Sequence, residues 1–113
     1  MRIVLSIILV SLFLSGCAAY KTGKDKAQSD LTKFAYANCL MWYFESKGYD
    51  TEDIRAISGG IVENSDISLE RFQNIALAVK SYSPDIETKN NIDLNLLKCF
   101  HLKDYEKLNE YLE

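Results

Sequence analysis

The chain predicts an all-α fold, a small bundle of four to five helices. Three observations carry that prediction. Apolar residues recur at spacings of three and four, with no sustained alternation of the kind a half-buried strand needs. No Asn-Gly or Asp-Gly pair marks a tight hairpin. Gly48, Asn64-Ser65-Asp66 and Ser83-Pro84 instead divide the chain into segments of helical length.

The first helix is expected from Leu31 to Lys47, with Ser29 or Asp30 able to cap its start. Tyr36, Cys39, Leu40 and Tyr43 form one stripe, flanked by Phe34, Met41 and Phe44, so the segment is apolar on most sides and reads as the central helix. Gly48 offers the left-handed residue that ends it. A second helix starts at Asp50 or Thr51, where Glu52 and Asp53 suit the positive end, and buries Ile54, Ile57, Ile61 and Val62. Gly59-Gly60 interrupts it and suggests a close helix contact or a kink. Ser68 can cap a third helix carrying Leu69, Phe72, Ile75, Ala76 and Val79. Pro84 stops that helix, since proline lacks the amide hydrogen and biases its predecessor away from helix. Residues 83–91 (SPDIETKNN) form the longest clear loop. A fourth helix from Ile92 or Asp93 through Leu102 places Leu96, Cys99 and Phe100 on one face, and a short last helix from about Asp104 turns Tyr105, Leu108 and Leu112 inward.

The N-terminus carries an address. Arg2 precedes an apolar run from Ile3 to Leu14, too short to span a bilayer comfortably and of the right length for a secretory signal. Leu14-Ser15-Gly16-Cys17 resembles the bacterial lipobox, which implies cleavage after Gly16 and diacylation of the Cys17 thiol. Ala18 stands where an aspartate would favour inner-membrane retention, so the resemblance implies a periplasmic protein, lipid-anchored to the outer membrane. The expected organisation is a cleaved signal at 1–16, a flexible tether at 17–29 and a folded domain at 30–113. With Cys17 acylated, Cys39 and Cys99 are the two thiols left in an oxidising compartment, and a disulfide between the first and fourth helices is expected.

Charge narrows the partners. Residues 30–113 hold nine Lys and Arg against fifteen Asp and Glu, while the tether has Lys21, Lys24 and Lys26 against Asp25. An acidic domain argues against nucleic acid, which needs clustered positive charge, and suits a basic protein partner. Solubility alone also accounts for such a balance. Catalytic signatures are missing. His101 is the sole histidine, no ligand set has zinc spacing, and there is no phosphate loop or nucleophile elbow. No metal or other cofactor is therefore expected. A thiol enzyme built on Cys39 or His101 would need a free thiolate and an orienting group. The six tyrosines from Tyr36 onward and Trp42 are mostly core by spacing, with a minority suited to anchoring an interface.

Two blocks resemble the immunity proteins that neutralise type VI secretion amidases. One is FAYANCLMWYF, residues 34–44, with its cysteine inside an aromatic-rich first helix. The other spans residues 83–113, and its Asn95-Leu96-Leu97-Lys98-Cys99 run is the more specific part. The resemblance covers nearly the whole domain and implies an all-helical periplasmic protein, commonly a homodimer, that blocks the catalytic cleft of a papain-like peptidoglycan amidase. It points to the 83–91 loop for insertion, with Ser83, Pro84, Asp85, Ile86 and Glu87 as the partner-binding residues. The lipobox is a departure from the plain signal peptides of that family. Inhibition of an amidase effector is thus the first expectation. A lipid-anchored structural or adaptor lipoprotein of the envelope, without a toxin partner, is the second.

Overall fold

The computed structural model describes residues 23–113. In chain order it contains α1 (Gly23–Lys47), α2 (Glu52–Glu63), α3 (Leu69–Ser81), α4 (Leu94–Phe100), a 3-10 turn (Leu102–Asp104) and α5 (Glu106–Leu112). The described residues include no strand, and the fold is all-α as expected. The signal at 1–16, Cys17 and the first part of the expected tether lie outside the described residues.

One boundary needs correction. Helix α1 begins at Gly23, so residues 23–29, read from composition as part of a flexible tether, are helical. Local and tertiary partners explain the extension. Lys26 pairs with Asp30 at 3.0 Å, one turn apart. Leu31, at the end of that stretch, is fully buried. Lys24, Ala27 and Gln28 border a cavity closed on its other side by Arg71 and Leu112. A polar composition conceals these contacts.

Helix α1 packs against α2, α3, α4 and α5, which makes it the central helix. Its Leu31, Phe34, Ala35 and Cys39 meet Phe72, Ile75, Ala78 and Val79 of α3, with Cys99, Leu102 and Leu108 completing the core. Phe34 and Phe72 meet edge to face at 4.9 Å between centroids. The Cys39–Cys99 disulfide sits inside this core and joins α1 to α4, with the Cα atoms 5.6 Å apart. Closing a loop across 60 residues constrains the unfolded chain by about 4 kcal/mol in the chain-entropy model. Arg71 of α3 donates to the carbonyl oxygens of Tyr111 (3.0 Å) and Glu113 (3.4 Å), holding the end of α5 against the bundle.

The helix ends show local chemistry at work. Gly48 has φ +71°; its amide donates to the Glu45 carbonyl and that of Tyr49 to the Phe44 carbonyl, at 3.1 and 2.9 Å. This pair of bonds is a Schellman motif, and it needs a residue without a Cβ penalty at Gly48. Ser68 occupies the N-cap position of α3, but its hydroxyl makes no capping bond. Three residues expected inside face outward: Ile57, Leu69 and Phe100 are 55%, 60% and 74% exposed. Helical spacing gives an apolar stripe, yet a bundle this small lacks neighbours to cover every stripe. Helix α2 runs unbroken through Gly59 and Gly60, and a Cβ at either would meet open space, so neither glycine serves a close helix contact.

Candidate functional site

Residues 82–93 connect α3 to α4 and carry the expected partner-binding segment. Both ends of this connection are fixed. At the start, Tyr82 stacks on Tyr105 with centroids 4.3 Å apart, and its hydroxyl donates to the His101 carbonyl at 3.1 Å. Burial, helped by nearby Asp104, raises the Tyr82 phenol above its ordinary value. At the far end, the Asp93 carboxylate caps α4 by accepting from the Asn95 and Leu96 amides at 2.8 and 3.3 Å. It also pairs with Lys47 of α1 at 2.8 Å. The Lys47 bond holds the Asp93 carboxyl below the usual range, and Asp93 in turn raises Lys47.

A third tie lies beneath the loop. The Lys98 ammonium donates to the carbonyl oxygens of Val79 and Tyr82 at 3.3 and 3.2 Å, satisfying acceptors at the C-terminal end of α3. Lys98 is 9% exposed, and burial lowers its pKa.

Between the anchors the five expected contact residues divide into two sets. Ser83, Asp85 and Glu87 are exposed, whereas Pro84 and Ile86 are half-buried. This alternation is what an extended segment produces, with successive side chains on opposite sides. Ser83, Pro84 and Ile86 border a cavity of about 240 Å³ that Asn95 and Lys98 also line. Asp85 and Glu87 do not line it. The structure thus brings Ser83, Pro84 and Ile86 together at one cavity, and leaves the two exposed carboxylates outside its lining. Further along, the Thr88 hydroxyl donates to the Asn90 carbonyl and the Ile92 amide to the same oxygen, each at 2.9 Å. The tip is therefore held by its own turn.

Tyr82, Lys98, Asp93 and Lys47 support this site and were not singled out for it by sequence reasoning. Asp93 before Leu94 is a recognisable N-cap signal. Lys98 gives no signal, because a lysine in a helix reads as solvated. Elsewhere, His101 Nδ1 lies 3.1 Å from an Asp104 carboxylate oxygen on the surface. Both described cysteines are bonded to each other, so neither offers a thiolate. No cluster of three or more His, Cys, Asp or Glu suited to a metal occurs among the described residues. Nor is any helix among them long and apolar enough to cross a membrane.

Comparison with protein-family models, curated proteins and solved structures finds no match for this chain.

Proposed function

We propose that this protein is an immunity-type inhibitor that binds a peptidoglycan amidase effector of a type VI secretion system and obstructs its active-site cleft. The observation that carries the reading is an acidic, outward-facing pair, Asp85 and Glu87, on a loop clamped at both ends to a disulfide-closed bundle. Clamping reduces the ordering cost of binding, because the loop is already positioned. Two negative charges at the exposed side of the loop suit a cleft lined with cations or hydrogen-bond donors. The helical fold and the Cys39–Cys99 bridge agree with the resemblance in residues 34–44 and 83–113. A disulfide is compatible with the periplasm, where such an inhibitor meets its target, and acylation at Cys17 would tether it to the outer membrane. In this reading the protein is no enzyme, and a homodimer would present two such loops.

The test is inhibition of an amidase encoded beside this gene, measured as soluble fragments released from peptidoglycan. Stoichiometric loss of hydrolysis is expected. The Asp85→Lys, Glu87→Lys double variant should weaken binding tenfold or more while leaving the far-UV circular dichroism unchanged, since both side chains are exposed. Undiminished hydrolysis in the presence of the oxidised protein would favour the envelope adaptor. Undiminished affinity in the double variant would remove the loop assignment alone.

A further inference from the structure

The cavity under the loop has a chemistry of its own, and it needs no amidase. Lys98 and Lys80 both border it, in a domain where carboxylates outnumber cations. Neither ammonium has a carboxylate within ion-pair distance among the described residues. Lys80 lies over the Trp42 ring, 4.9 Å from its centroid. Lys98 spends two of its three N–H groups on the carbonyls of Val79 and Tyr82. A cation withdrawn this far from water is normally matched by an anion, because neutral carbonyls only partly replace its hydration. Pro84, Ile86 and Leu94 give the cavity its apolar lining, the last still 56% exposed, and Tyr82 and Ser83 border it as well. Asn95 also borders it.

We propose that this cavity is a carboxylate-binding site, in which Lys98 and Lys80 hold a carboxylate while Pro84, Ile86 and Leu94 cover its short carbon stem. A peptide C-terminus and an acidic side chain share that chemistry.

Titration of the isotopically labelled full chain, followed by NMR of the lysine side chains and the 82–98 amides, tests the site. The probes are N-acetylalanine for a chain terminus, N-acetylglutamic acid α-amide for an acidic side chain, and N-acetylalanine amide as the neutral control. Saturable shifts centred on Lys98, Lys80 and Ile86 are expected with either acid and not with the amide; the tighter acid identifies the source. Lys80→Ala should weaken binding by about fivefold, as loss of a partly exposed charge does, and Lys80→Glu should abolish it. Lys98→Met should cost tenfold or more. If Lys98→Met fails to fold, the two Lys80 variants decide. Shifts that never saturate, equal shifts with the neutral amide, or affinity unchanged by Lys80→Glu would overturn the proposal and leave Lys98 as a cap of α3 only.

Discussion

The seam between α1 and α4 and the loop between α3 and α4 lie in one small domain but are held by different forces. The seam is covalent and dry: Cys39 and Cys99 are bonded and buried among Leu31, Phe72, Ile75 and Leu108. The loop is held by polar contacts at its ends, by a local turn around Asn90 and by the half-buried Pro84 and Ile86. Tyr82, Asp93 and Lys98 fix where it leaves and rejoins the bundle, while Asp85 and Glu87 are exposed. Rigidity is therefore concentrated where it fixes the loop's position, and the side chains most exposed to a partner carry little of the fold's stability. Substitutions should separate along that line.

The largest effects belong to the seam. Cys39→Ser with Cys99→Ser, or reduction of the native protein, should lower unfolding stability by about 4 kcal/mol in urea titration. Phe72→Ala should cost about 3–5 kcal/mol, because it empties a site packed edge to face against Phe34. If either loss proves smaller than that of a loop variant, the contrast between the two regions fails.

The loop's far anchor comes next, and pH reads it. The folded Asp93 carboxyl lies below its ordinary value, chiefly through Lys47. Its contribution is therefore fully present above the unfolded carboxylate's pKa and is lost as pH falls through the lower folded value. Asp93→Asn should flatten that acid limb in urea midpoints recorded from neutral pH downward. It should also speed amide exchange at Asn95 and Leu96, which lose a charged acceptor. An acid limb identical to that of the parent would mean the anchor is not Asp93.

The smallest effects compare glycines. Gly59→Ala and Gly60→Ala should each stabilise by about 0.5–1 kcal/mol, since both lie within α2 with open space at the Cβ position. Gly48→Ala should instead destabilise by about 1 kcal/mol, because its φ is +71°. Thermal melts of the three variants check both signs.

The helices were legible from their apolar spacing and from breaks with clear local chemistry, Gly48 at the Schellman turn and Pro84 beyond α3, whereas the Asp93 cap of α4 was not read. The cysteine pairing was legible through the expected loss of Cys17, though Cys17 itself lies outside the described residues. What escaped was decided by tertiary packing. The first turns of α1 look like linker but are helical and continuous with the segment that buries Leu31. Ile57, Leu69 and Phe100 look like core, but the bundle leaves more than half of each exposed. Within the candidate site, the Pro84-Asp85-Ile86-Glu87 alternation was present in the sequence as a period of two, and it foretells the inward and outward sets. Lys98 was not, since only the fold places its ammonium under the loop.

The central claim is that the loop of this bundle stops an amidase. The most direct measurement is peptidoglycan hydrolysis by a candidate type VI amidase effector, titrated with oxidised protein carrying either the native loop or Asp85→Lys with Glu87→Lys. The account predicts complete inhibition near one equivalent by the native loop and inhibition shifted to tenfold higher concentration or more by the double variant. Hydrolysis that continues at full rate with excess native protein would contradict it.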